Sequence, residues 1–154
     1  MQDAAELQKI LDAGRRIHAA IDTIDALVAE RLGVSRNDLR CLHLLEQHPA
    51  TPGEIAAHTR LTSGSVTALV DRLEGCGMVE RCRSSADRRS VAIAMTEARL
   101  VEFRALIAEI EAVVRAEYAG FSPAEMAASS TALEQFIAVL GTIADDIDPA
   151  SQPE

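Results

Sequence analysis

Apolar residues recur at three- and four-residue steps along the first thirty positions: Leu7, Ile10, Leu11, Ile17, Ile21, Ile24, Leu27 and Val28. That period predicts one amphipathic helix over residues 4–31, stopped by Gly33. Ser35 with Asp38 reads as a capping box. It opens a helix with Leu39, Leu42 and Leu45 on one side, ended by His48 and Pro49. Thr51-Pro52-Gly53-Glu54 is a stronger start of the same kind: Thr as N-cap, Pro at the first helical position, Glu at the third. The helix it opens is short, about Pro52 to His58. After a four-residue turn, Thr62 or Ser63 caps another helix, which runs to about Cys76 with Val66, Leu69, Val70 and Leu73 inward. Gly77 follows as the residue just past its end.

There the period changes from helical to two. Met78–Arg83 and Ser90–Met95 read as strands, joined by the polar connector Ser84-Ser85-Ala86-Asp87-Arg88-Arg89, which makes a hairpin. Leu100, Phe103, Ile107, Ile110, Val114 and Tyr118 then mark a further helix, broken at Gly120. Ser122-Pro123-Ala124-Glu125 starts the last one, in which Leu133, Ile137, Leu140, Ile143 and Ile147 recur at heptad-like spacing. The expected fold is mainly α with a small antiparallel β wing: a winged helix-turn-helix flanked by N- and C-terminal dimerisation helices. By position this gives an N-terminal arm at 1–34, the winged segment at 35–96, C-terminal dimerisation helices at 97–147 and a disordered tail at 148–154. No internal repeat and no low-complexity stretch interrupts this order.

Composition narrows the picture. The 154 residues suit one compact domain, or a small domain with helical arms. Aromatics are only 3%, so the core is built from Leu, Ile, Val and Ala. No uninterrupted apolar run approaches the roughly 20 residues of a membrane span. The opening MQDAAELQKI is polar and acidic, unlike a secretory signal. The expected location is cytoplasmic, with no membrane partner. Cys41, Cys76 and Cys82 are odd in number and form no CxxC or CxxH pair, which argues against a disulfide framework or structural zinc. No cofactor is expected. No GxSxG, P-loop, HExxH or Cys–His pairing at catalytic spacing occurs, so the chain does not read as an enzyme.

The net charge of −9 argues at first against nucleic acid. Its distribution reverses that. From His58 to Ser90 six arginines face four acids, a balance of +2, while the rest of the chain carries −11. A local basic patch matters more to a phosphate-binding face than the overall balance. Only one lysine is present, so nearly every cation is the bidentate-capable arginine. The second helix of a helix-turn-helix brings its N-terminal residues to base edges in the major groove. Here those are Thr62, Ser63, Gly64, Ser65 and Thr67, small and hydroxylated, with Arg60 before them and Arg72 farther along. The Arg-bearing connector, with Arg83 on the strand leading into it, can reach the narrow minor groove, where negative potential favours guanidinium.

The run LTSGSVTALVDRLEGCGMVERCRSSADRRSVAIAMTEA, residues 61–98, resembles the signature of MarR-type regulators. The match covers the Ser/Thr-rich helix start, the VDRLE…G exit at 70–77 and the DRRSVAIAMT wing at 87–96. The resemblance implies that Arg89 enters the minor groove, oriented by Asp87 through a charge-assisted hydrogen bond. Arg88 stands beside them at the tip. It implies Thr62, Ser63, Ser65, Val66 and Thr67 at the major groove and Arg72 on the phosphate backbone. One departure is visible: where the family often has Gly three positions after the Thr, this chain has Arg99.

The terminal helices carry apolar stripes that a 60-residue winged domain cannot bury alone. A homodimer reading a pseudo-palindrome, with half-sites about 34–36 Å apart, covers them. The resemblance further implies a repressor of double-stranded DNA released by a small aromatic or phenolic effector. Arg15, Arg16, His18, Arg40 and His43 belong to elements that would line such a site. Thiol-based redox sensing is an alternative, with Cys82 between Arg81 and Arg83 the best placed and Cys41 reading as buried and inert. A winged protein-interaction module without DNA contact is the other alternative, motivated by the acidic balance.

Overall fold

The computed structural model describes residues 2–83 and 91–147. Its elements run α1 (Gln2–Leu32), α2 (Arg36–Gln47), α3 (Pro52–Thr59), α4 (Ser63–Gly75), β1 (Val79–Arg83), β2 (Val91–Met95), α5 (Glu97–Tyr118) and α6 (Pro123–Ile147). The expected 148–154 tail and the connector 84–90 lie outside the described residues.

Local chemistry sets most of the helix ends. The Ser35–Asp38 capping box closes at 2.9 and 3.2 Å, and the Thr51–Glu54 box at 2.6 and 3.3 Å. Ser122 and Glu125 close a third, at 2.8 and 3.4 Å. Of the two candidate caps for α4, Thr62 is the one whose hydroxyl accepts from the Ser65 N–H, at 3.3 Å. Gly33 and Gly77 take positive φ, 68° and 70°. Each closes a Schellman turn: Val34 N–H reaches Ala29 O at 2.9 Å, and Met78 N–H reaches Leu73 O at 2.9 Å.

The chain divides into two compact units, Met1–Glu109 and Ile110–Glu154. In the first, β1 and β2 pair antiparallel from Val79↔Met95 to Arg83↔Val91. Ala50, in the turn between α2 and α3, adds a single antiparallel bridge to Ile93 of β2. The core lies between this sheet and the helices, built from Leu39, Leu42, Ile55, Leu69, Leu73 and Ile93, all under 3% exposed. Phe103 of α5 joins it at 1% exposed and meets His43 edge-on at 5.3 Å. The division into units therefore falls inside α5 rather than at its start. Residue Arg99 sits in an unbroken first turn of α5, paired with Glu102 at 2.6 Å, so the helix tolerates a side chain there.

The second unit holds the end of α5 and all of α6. The Tyr118 and Phe121 rings meet at 4.8 Å across the break. No residue of α6 is buried within this chain. By length and composition α6 qualifies as long and apolar enough to cross a membrane, with a mean hydropathy of 1.2. The expectation concerned apolar runs, and α6 passes on the average over an 18-residue window instead. Counting uninterrupted runs misses it because Ser129, Ser130, Glu134 and Gln135 punctuate the helix.

Candidate nucleic-acid interface

The turn from α3 to α4 is three residues, Arg60-Leu61-Thr62, since α3 continues through Thr59. It pivots on Arg60, which holds left-handed backbone at φ 58°. A non-glycine residue there costs on the order of 1–2 kcal/mol. Buried Thr59 just before it donates its hydroxyl to Ile55 O at 2.6 Å, ending α3 tightly against the core.

Past the turn, α4 shows two sides. Val66, Leu69, Val70 and Leu73 are buried. Thr62, Ser63, Ser65 and Thr67 are exposed on the first two turns. Val66 is therefore a correction: at 1% exposed its side chain packs inward and cannot meet a base edge. The hydroxyls partly organise one another. Thr62 Oγ1 and Ser65 Oγ lie 2.9 Å apart, and Thr67 donates to Ser63 O at 3.1 Å. Each oxygen keeps lone pairs for a further donor, at the helix end whose dipole favours anions.

Arg72, expected on a phosphate, has a partner within the chain and keeps about half of its side chain exposed. Its Nε and Nη2 donate to Asp38 of α2 at 3.3 and 2.5 Å. Burial alone raises the Asp38 carboxyl; the bonds from Arg72 and from Ser35 outweigh it and hold the group below the usual carboxylate range. Arg81 of β1 grips the same stretch of α4, donating to Asp71 at 2.7 Å and also to Glu74. Neither Asp38 nor Arg81 was among the expected functional residues. Their partners lie one or more elements away, beyond the reach of local pattern.

Arg83 is exposed at the end of β1, where the strand enters the connector. Asp87, Arg88 and Arg89 lie outside the described residues. Cys82 points to the opposite face from its arginine neighbours, as alternation along a strand requires, and is half-buried. Cys41 is buried, and desolvation followed by the charge of Asp38 pushes its thiol up to about 12. Cys76 is exposed at the end of α4.

The expected effector residues each have their own surroundings. Arg15, Arg16 and His18 are exposed on α1, with Arg15 paired to Asp12. Arg40 donates to His58 O at 3.1 Å, and His43 faces Phe103. A cavity of about 370 Å³ does open in this unit, between Leu45, His48, Glu80, Met95, Leu100 and Arg104, and none of the five lines it.

Residues 32–90 match the profile of the MarR family. An HTH-type transcriptional regulator of Bacillus subtilis, YcgE, is 48% identical over 66 residues, 42% of this chain and 43% of that protein. Streptococcus pneumoniae FabT, solved in complex with DNA, aligns at 25% identity and a TM-score of 0.63, covering 84% of this chain and 98% of that one. A MarR family protein from Bacillus stearothermophilus aligns at 23% identity and a TM-score of 0.69, covering 91% and 96%. The chain spans about half the length of the curated relatives it matches.

Proposed function

We propose that this chain is a MarR-type transcriptional regulator that binds double-stranded DNA as a homodimer, a reading supported by the match of its winged segment, residues 32–90, to the MarR family profile. The observation that carries the reading is the pairing of an exposed hydroxyl face on α4 with an antiparallel wing directly after it. The first two turns of α4 present Thr62, Ser63, Ser65 and Thr67 to the major groove. The connector between β1 and β2 supplies Arg89 to the minor groove, with Asp87 orienting it and Arg88 and Arg83 on nearby phosphates. The likeness to FabT, whose structure is a DNA complex, supports the same docking.

Dimerisation is supported by unpartnered apolar faces. Leu7, Ile10, Ile21 and Leu27 of α1 are each more than half exposed, and α6 exposes Leu133, Ile137, Leu140 and Ile143. A symmetric partner removes both faces from water and doubles the wing, so that two half-sites are read together. The regulator acts as a cytoplasmic repressor, released by a small aromatic or phenolic acid. Arg16 and His18 are exposed on α1 toward that acid and Arg15 beside them is paired to Asp12, whereas Arg40 and His43 make contacts within the winged unit.

Selection from a random duplex library tests the reading. The wild-type chain enriches an inverted repeat whose affinity falls steeply with salt, and Arg89→Ala lowers that affinity by roughly tenfold or more. Enrichment of nothing over random sequence overturns DNA binding. Unchanged affinity in Arg89→Ala favours the protein-interaction module instead.

A further inference from the structure

The face of α4 that would meet DNA is set from behind by a carboxylate that does not reach the surface. Asp38 is 2% exposed. Its Oδ2 accepts from the Ser35 N–H at 2.9 Å, which ties it to the first turn of α2. The same carboxylate accepts the Arg72 fork from α4, 34 positions away. Arg81 holds Asp71 and Glu74 from the wing side, so the second half of α4 is gripped between α2 and β1.

We propose that Asp38 is a positioning residue for DNA recognition, which acts through Arg72 to set the rotation of α4 about its own axis. The inference rests on the DNA-binding reading above. Thr62, Ser63, Ser65 and Thr67 have short side chains, and hydrogen bonds weaken steeply with misalignment. A roll of roughly 20° in α4 swings side-chain tips about 5–6 Å from the axis by about 2 Å, out of reach of base edges. Arg72, anchored to a carboxylate that is itself fixed by a helix cap, prevents that roll.

Electrostatics alone predicts the opposite sign. Removing Asp38 deletes a negative charge beneath a phosphate-facing helix and releases Arg72, which would tighten DNA binding at every sequence. Positioning predicts a loss confined to the specific site.

The test uses a duplex selected by the wild-type chain from a random library and a scrambled duplex of the same length. Asp38→Asn is expected to bind the selected duplex about tenfold or more weakly, with the scrambled duplex bound as well as before. Asp38→Glu, which keeps the charge, recovers part of the loss. Arg72→Met reproduces the loss while leaving the salt dependence on the scrambled duplex unchanged. Tighter binding of both duplexes by Asp38→Asn overturns the proposal. So does a salt slope lowered by about one in Arg72→Met, because that marks Arg72 as a phosphate contact. Where circular dichroism finds Asp38→Asn unfolded, the more exposed Arg72→Met decides. A wild-type chain that enriches no sequence overturns the DNA-binding reading itself, and this inference with it.

Discussion

Ala50 and Ile93 exchange both backbone hydrogen bonds, at 2.9 and 2.8 Å. The contact attaches the turn between α2 and α3 to the inner strand of the wing, and so fixes the sheet to the helix-turn-helix. Ala50 is fully buried, so a larger side chain there has to displace its neighbours. Ala50→Leu is expected to lower the unfolding free energy by about 1–3 kcal/mol through overpacking. A urea titration reads this as a lower midpoint at an unchanged m-value. A midpoint equal to that of the wild type would mean the turn gives way freely, against the close packing described.

Acid should weaken the fold through Asp38. Its carboxyl is held below the ordinary value despite burial, because Arg72 and Ser35 favour the charged form. A depressed folded value contributes stability above the unfolded value of about 4, and that contribution is lost as pH falls through the folded value. Glu54 is lowered in the same direction by its Thr51 donors. The unfolding free energy is thus expected to drop as pH falls below about 4, with a shallower drop in Asp38→Asn. Chemical denaturation from pH 7 to pH 3 measures it. Parallel profiles for the two proteins would remove Asp38 from the account.

What the sequence made legible was local. Ser35, Thr51 and Ser122 each start a helix as read, because a capping box needs only a residue and its third successor. Gly33 and Gly77 stop helices for the same reason: left-handed backbone is a property of one position. The strand pair followed from a change of period. What stayed hidden was mostly non-local. Val66 is the exception: its period put it inward with Leu69, Val70 and Leu73, the resemblance put it at the groove, and its burial sides with the period. The partner of Arg72 was not legible because nothing near it in the chain announces Asp38. The five effector residues were gathered by element, which could not foresee that Arg40 bonds His58 O and His43 meets Phe103.

The three thiols should react in order of exposure and charge environment. Cys76 is exposed, Cys82 half-buried, and Cys41 buried with its thiol pushed up to about 12. The thiolate is the reactive form. Iodoacetamide at pH 8 is therefore expected to label Cys76 first and Cys41 only after unfolding, as mass spectrometry of timed digests resolves. Labelling of Cys41 at the rate of Cys76 in the folded protein would contradict its buried position. Preferential labelling of Cys82 would support thiol-based sensing at β1.

The α6 stripe carries the strongest prediction about assembly. Ile137 is 59% and Leu140 49% exposed, one helical turn apart, on a helix with no buried residue. Apolar area at that density is normally covered by a partner. Replacing both by Glu removes the apolar contact and places four like charges across a two-fold axis, while leaving the chain's own core untouched. Sedimentation should show a wild-type dimer and a monomeric double variant with its helical content largely kept. The melting temperature of the wild type should rise with concentration, and that of the variant should not. Loss of the dimer also weakens binding to a two-half-site duplex, since each wing then binds alone. A wild-type chain that sediments as a monomer would sink the homodimer. Flotation with phosphatidylcholine vesicles would instead assign the α6 stripe to lipid, the one other environment that its length and composition fit.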